Sequence, residues 1–269
     1  MMTEYTPGMF GDAVMGDFSI RRATNGVMKE SLRASAALET KALGHPAFET
    51  LRVGERLTSP MVVVFIDLTD FTGRSFWDDE TEVADLAHAL LTGFIQTVTA
   101  FGGFPLGLRG DGLFAGFGPG NAQIDSVMAL SACAFALDAV QNEVNPRLQR
   151  KNIEPVQARA GLDYGRITFV RSGNHEHSEV NPLGFAANFA AKCEKQAKSW
   201  EIVIGQGIAQ QVPDSTTYSR HEKSPKSYQR AGVVKTYNFY QYHWRRALKY
   251  IPGTVQQVNG KSTASITIN

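Results

Sequence analysis

Apolar positions recur along the chain with periods that change from one segment to the next. MVVVFIDL (61–68) is a β-branched run of the kind found in buried strands. Over 80–101, Val83, Leu86, Leu90, Leu91, Phe94, Ile95 and Val98 fall at helical spacing, and Gly102-Gly103 stops the pattern. FPLGLR and LFAGF flank Gly110-Asp111-Gly112, which predicts a tight hairpin. A second helix is predicted over about 122–147, carrying Ile124, Val127, Met128, Ala132, Phe135 and Val140. VQARAGLDYGRITFV (156–170) reads as a further hairpin turning near Asp163-Tyr164-Gly165. GFAANFAAKCEKQAK (184–198) reads as a third helix, and EIVIG (201–205) and KTYNFYQY (235–242) as strands.

Residues 1 to about 16 hold Gly and Met without periodicity, and the stretch from Phe18 to Leu43 predicts one or two helices. Residues 1–55 are therefore expected to be an N-terminal helical extension, packed on the main domain or on a second subunit. The main domain is expected over 56–250, and the polar residues 251–269 as a flexible C-terminal tail. The order strand, helix, hairpin, helix, hairpin, helix, strand predicts an α+β fold with a central, mostly antiparallel sheet and helices on one face. No repeat occurs. No GxGxxG follows the first strand and no GxxxxGK[ST] occurs anywhere, which argues against a dinucleotide-binding or P-loop domain.

Composition removes several function classes. Lys+Arg 27 against Asp+Glu 26 gives no support to a general nucleic-acid surface. Cys133 and Cys193 belong to no metal-ligand spacing or disulfide framework, as expected of a reducing compartment. The start has no basic segment followed by an apolar one, and MVVVFI is too short to span a bilayer, so a cytoplasmic location without a membrane span is expected. His175 and His177 lack a third ligand and read as part of a polar loop rather than a zinc site. YNFYQYHWRR reads as a terminal strand and basic turn rather than a nucleic-acid platform.

The candidate chemistry lies in acids at strand ends. Asp67 ends the first strong strand and Asp111 sits at the hairpin apex. Each residue alone fits a structural part, a helix cap for Asp67 and a turn for Asp111. If the two strands are neighbours, however, the carboxylates meet at one sheet edge. Converging carboxylates repel unless protons or cations intervene, and hard divalent cations suit them when phosphates complete the shell. LTDFTGRS follows Asp67, and the backbone amides of Phe71 and Thr72 at a helix start would suit phosphate oxygens. Gly184, Asn188 and Lys192 fall four apart on one helical face, where an amide donor and a cation would steady a phosphoryl group.

Together these blocks resemble a known family. FIDLTDFTGRS (65–75), LRGDGLFAGFG (108–118), ARAGLDYGRI (158–167) and NPLGFAANFAAKCE (181–194) look like the four signature blocks of the class III nucleotidyl cyclases, in the same order and at matching separations across roughly 60–245. The resemblance implies a ferredoxin-like catalytic core and a head-to-tail homodimer with composite active sites at the interface. It implies two Mg²⁺ or Mn²⁺ ions per active site, held by Asp67 and Asp111. It also implies that Asn188, and Lys192 in place of the family's arginine, act from the opposite subunit. The reaction implied is in-line attack of a ribose 3′-hydroxyl on the α-phosphate, releasing pyrophosphate.

Two positions depart from the purine-specific pattern. Where that family carries its base-reading side chains, this chain has Gly107 and Asn181. The combination is similar to the bacterial pyrimidine cyclases of Pycsar antiphage systems, whose cyclic nucleotide product activates a separately encoded effector. Residues 107 and 109 of a regular strand point the same way, so Arg109 can reach over Gly107 toward a base carbonyl or toward phosphate. Arginine donates only, and uracil offers O2 and O4, so the reading favours UTP, with CTP as the alternative. Arg230, in KSYQRAGVVKTY, is a candidate for the triphosphate, and Arg74 for a phosphate contact. An adenylate or guanylate cyclase with an atypical base site, or a silent cyclase-like module, are the other readings.

Overall fold

A computed structural model of the chain describes residues 3–23, 43–212, 214–257 and 264–268. Strand β1 (Thr3–Tyr5) leads into helix α1 (Pro7–Ala23), and a single helical turn, α2 (Pro46–Glu49), precedes the long strand β2 (Arg56–Thr69). Then come α3 (Phe71–Trp77), α4 (Glu80–Ala100), the hairpin β3 (Phe104–Arg109) and β4 (Gly112–Phe117), and α5 (Ala122–Ala139). Helix α5 continues through a π-turn at Val140–Val144 into α6 (Asn145–Gln149). Strands β5 (Gln157–Gly173) and β6 (Ser178–Leu183) precede α7 (Phe185–Gln196), β7 (Ile202–Gly205) and α8 (Gln206–Ala209). The remainder comprises β8 (Tyr218–Arg220), β9 (Lys226–Arg230), β10 (Val233–Tyr237), β11 (Phe239–Tyr242), α9 (Trp244–Ala247), α10 (Ile251–Gln257) and β12 (Ala264–Ile266).

An eight-stranded sheet runs β3-β4-β2-β5-β7-β11-β8, with β6 pairing on β5. Its pairs are antiparallel except β5 with β7. Side chains alternate across a strand, and β2 is apolar at both parities. Val62, Val64, Ile66 and Leu68 join the main core with α1, α4 and α5. Met61 and Val63 face the other way, against Ala186, Ala187 and Ala190 of α7. Helices therefore cover both faces, not the single face expected.

Local signals set the helix ends. The Asp79 carboxylate caps α4 by accepting from Glu82 N at 2.9 Å, and Asn121 caps α5 by accepting from Ile124 N at 3.1 Å. By length and composition α4 and the α5–α6 helix are apolar enough to cross a membrane, yet both are largely buried within the protein.

Several sequence expectations are corrected. β5 is one unbroken strand of 17 residues, with no turn at 163–165. Asp163 sits in it fully buried, where its carboxylate accepts from Tyr164 N, Gly207 N and the Tyr237 hydroxyl instead of making a turn. Helix α1 begins at Pro7, inside the stretch expected to lack periodicity, and buries Phe10, Val14 and Phe18 at steps of four. Residues 24–42, where further helix was expected, lie outside the described residues. KTYNFYQY divides between β10 and β11 at Asn238. The expected loose tail contains α10 and β12, with Ile251, Val255 and Ile266 buried and β12 pairing in parallel with β1.

Candidate active site

Strands β2 and β4 pair with Ile66 opposite Leu113, so the next residue of β2, Asp67, comes level with the hairpin that holds Asp111. Gly110 makes that turn at φ 63, a left-handed value suited to glycine. Gly112 has a second use: a Cβ there would stand 3.0 Å from Asp67 Oδ1, so the missing side chain leaves room for the carboxylate. Burial raises the Asp111 carboxyl above the ordinary range, the charge of Asp67 adds to the rise, and Arg159 opposes it. The two acids thus converge at one end of the sheet.

Two charged partners escaped the sequence reading. Arg159 stands opposite Asp67 on β5, and its Nη2 and Nε donate to Asp67 Oδ2 at 2.8 and 3.2 Å. The same Nη2 lies 2.5 Å from Glu194 Oε1, an ion-pair contact without hydrogen-bond alignment. Burial pushes the Glu194 carboxyl up to about 7 against the pull of Arg159, and Asp67 adds to the rise. An arginine within the buried strand pattern of VQARAGL was the available signal, because a charge there needs a partner.

Among the described residues no group of three or more His, Cys, Asp or Glu surrounds a possible metal position. Two carboxylates alone still fit Mg²⁺ or Mn²⁺ that keep waters and take phosphate oxygens. Both Arg159 bonds use Asp67 Oδ2, while Oδ1 lies beside Gly112 of the hairpin. The donor set is oxygen only, as hard cations require.

Around this pair, α3 starts at Phe71 after Asp70 adopts a left-handed φ of 58. The Phe71 side chain is buried and Thr72 is exposed. Arg74 is committed elsewhere, pairing with Asp78 at 2.9 Å and donating to Glu154 O at 2.8 Å, so it is not a free phosphate ligand. On β3 the Arg109 guanidinium folds back over Gly107: a Cβ at Gly107 would meet Nη1 at 3.4 Å, and Nη1 donates to Leu108 O at 2.9 Å.

The remaining candidates lie elsewhere in the chain. β2 pairs along its length with β5, Asp67 opposite Arg159 at one end and Arg56 opposite Val170 at the other. Asn181 of β6 pairs with Val170. From Arg56 to Asp67 is roughly 36 Å of extended strand, so Asn181 cannot meet the Asp67 edge of its own chain. Gly184 begins α7 beside Arg166, which pairs with Pro60, also well short of that edge. Helix α7 then runs along β5 so closely that a Cβ on Gly161 would collide with the Glu194 amide and the Ala190 carbonyl. Asn188, Lys192 and Lys195 are exposed on the outer side of this helix. Lys192 Nζ donates to the Tyr228 hydroxyl at 3.2 Å, and with Lys223 and Lys226 it lines a cavity of about 370 Å³ floored by Phe189 and Phe239. Arg230 is exposed at the end of β9, where Ala231 and Gly232, at φ 50 and 79, turn the hairpin into β10.

No family model matches the sequence. Over 198 residues the chain is 26% identical to an Escherichia coli protein named cytidylate cyclase, a match covering 68% of this chain and 43% of that one. A Staphylococcus aureus protein of the same name is 22% identical over 150 residues, covering 54% of this chain and 36% of its own length. The chain thus spans less than half the length of these curated relatives. Among solved structures, the adenylyl cyclase CyaB from P. aeruginosa superposes with TM-score 0.61 at 21% identity, covering 70% of this chain and 95% of that one. The guanylyl cyclase Cya2 superposes with TM-score 0.59 at 21% identity, covering 71% and 94%. A central, mostly antiparallel sheet flanked by helices is the fold these cyclases share with the chain: it has the class III nucleotidyl cyclase fold and is related to bacterial cytidylate cyclases.

Proposed function

We propose that the chain is a pyrimidine nucleotide cyclase that converts CTP to 3′,5′-cyclic CMP and pyrophosphate. The observation that carries the reading is the convergence of Asp67 and Asp111 at the β3–β4 turn, on a fold shared with nucleotidyl cyclases. These two side chains would hold two Mg²⁺ or Mn²⁺ ions against the substrate phosphates. When bound, such cations neutralise phosphate charge and acidify the ribose 3′-hydroxyl. The 3′-hydroxyl gives its proton to solvent, its oxygen bonds to the α-phosphorus, the bond from that phosphorus to the bridging oxygen breaks, and pyrophosphate leaves in line.

The rest of the site comes from a second copy. Asn181 stands a full strand length from Asp67, and Asn188 and Lys192 are exposed on α7. A head-to-tail homodimer would bring these groups of one copy over the acids of the other, giving two composite sites. There Asn188 would donate to the ribose or the developing oxyanion, and Lys192 would neutralise a phosphoryl oxygen. The Phe71 and Thr72 amides and Arg230 would hold the triphosphate, and Gly184 would allow α7 to approach it closely.

The base assignment shifts from uridine to cytidine. The names of the relatives favour cytidine, and so does the chemistry of the guanidinium over Gly107. Cytosine presents O2 and N3 as adjacent acceptors, matched to a two-pronged donor; uracil separates its carbonyls by an N3–H that opposes one. The Asn181 carbonyl would accept from the cytosine amine. In this reading the cyclic product is a second messenger in antiphage defence, sensed by a separately encoded effector. Incubation with Mn²⁺ and each of the four ribonucleoside triphosphates, with products resolved by mass, tests it. Cyclic CMP is the expected dominant product. Dominant cyclic UMP would overturn the base assignment, a cyclic purine the pyrimidine reading, and no product the enzyme reading.

A further inference from the structure

Lys192 occupies the place where the family resemblance puts an arginine, and a lysine is a point charge on a flexible stem without a fork to set its direction. The chain supplies a surface that sets it. Lys192 Nζ lies 5.0 Å from the centre of the Tyr228 ring and donates to the Tyr228 hydroxyl at 3.2 Å. Together these distances set the ammonium beyond the hydroxyl end of the ring, so the hydrogen bond to the hydroxyl sets its direction.

The seat is built into the fold. Tyr228 lies on β9, which pairs with β10 and places Tyr228 opposite Lys235. At the root of that hairpin the Tyr237 hydroxyl donates to Asp163 Oδ2 at 3.1 Å and accepts from Gly207 N at 2.9 Å. The Tyr237 ring packs edge-on against Phe185 and Phe189 of α7, with centroids 4.8 and 4.6 Å away, and Phe185 meets Tyr228 at 5.7 Å. The hairpin is thereby fastened both to β5 and to the helix that carries Lys192.

Resting on the cyclase reading above, we propose that Tyr228 is the positioning residue for Lys192, holding its ammonium at the point from which it reaches the phosphoryl group in the partner's half of the site. Tyr228 itself touches no substrate. Tyr228→Leu and Tyr228→Phe should each lower kcat on the order of tenfold with KM nearly unchanged, since both remove the hydroxyl. A double-mutant cycle separates positioning from general support: in a Lys192→Ala background, Tyr228→Leu should have no further effect on kcat. An undiminished Tyr228→Leu loss in that background would overturn the proposal. So would a Lys192 ammonium nitrogen resonance, assigned by Lys192→Arg, that does not move in Tyr228→Phe; this measurement needs neither turnover nor a folded Tyr228→Leu variant. Failure to form any cyclic nucleotide would remove the cyclase reading and the positioning role with it, whereas an active enzyme failing the cycle loses the positioning role alone.

Discussion

Arg159 and Asp67 stand opposite each other on β5 and β2, and their side chains meet at 2.8 Å. The guanidinium also touches Glu194, so one cation joins the acid proposed to hold metal to the helix that carries Asn188 and Lys192. Arg159→Met would leave two partly buried carboxylates facing each other. It should lower unfolding free energy by about 2 kcal/mol, reduced from the cost of a fully buried pair because solvent reaches the site. Urea titration reads the change; a loss below about 0.5 kcal/mol would mean that the contact is as weak as an exposed pair.

Asp67→Asn and Asp111→Asn should each reduce kcat by about a thousandfold or more, the scale on which several kcal/mol of charge stabilisation acts. Neither should prevent folding. Mn²⁺ binding followed by electron paramagnetic resonance should weaken in both variants, and unchanged Mn²⁺ affinity would place the cation elsewhere.

The proposed composite sites are tested by complementation. Asp67→Asn and Lys192→Ala proteins should each be nearly silent alone. Mixed in equal amounts and allowed to exchange, they should recover about a quarter of the wild-type rate, since half the dimers then hold one intact site. No recovery on mixing, with subunit exchange demonstrated, would place Asp67 and Lys192 in the same subunit's site.

Arg109→Ala should raise KM for CTP on the order of tenfold or more, because in the proposed site it would remove a paired donor from the base. Steady-state kinetics with CTP and UTP reads the outcome. An equal fall in kcat with no change in KM would assign Arg109 to the phosphates.

Much of the fold was legible because it rests on local period. The β-branched run of β2, the helical spacing of α4 and the glycines of the β3–β4 turn each announce themselves over a few residues. The failures are places where a distant partner overrides a local cue. Asp163-Tyr164-Gly165 looks like a turn, but Asp163 is held by Gly207 and Tyr237, and Gly165 lies against Ala186, where a Cβ would come within 3.0 Å. In α1 the spacing of Phe10, Val14 and Phe18 was present, but five glycines and methionines nearby obscured it. At the site, Asp67 and Asp111 could be found from strand ends, whereas the Arg159–Glu194 contact joins a strand to a helix 35 positions later and becomes visible only once α7 lies on β5.

Asp163 gives the fold a pH signature. Burial raises its carboxyl to about 7, above an ordinary aspartate near ~3.9. Between those values the folded protein keeps a proton that the unfolded chain has lost. The stability Asp163 contributes is therefore complete below pH ~4 and is lost as pH rises through about 7. The urea midpoint should fall between pH 5 and pH 7.5, and fall less in Asp163→Asn, whose amide resembles the protonated acid. Equal slopes for the two proteins would place the titration elsewhere.

Because Gly161 brings α7 against β5 backbone to backbone, the segment bearing Asn188 and the strand bearing Arg159 have no room to slide past one another. In the proposed homodimer each polypeptide would then be a stiff half-mould. In the proposed dimer, opening for substrate, sealing during turnover and discharge of pyrophosphate would all reduce to how two such halves rock against each other. A regulator of that dimer would need only to grip the seam between the halves, without reaching the chemistry, to set the rate.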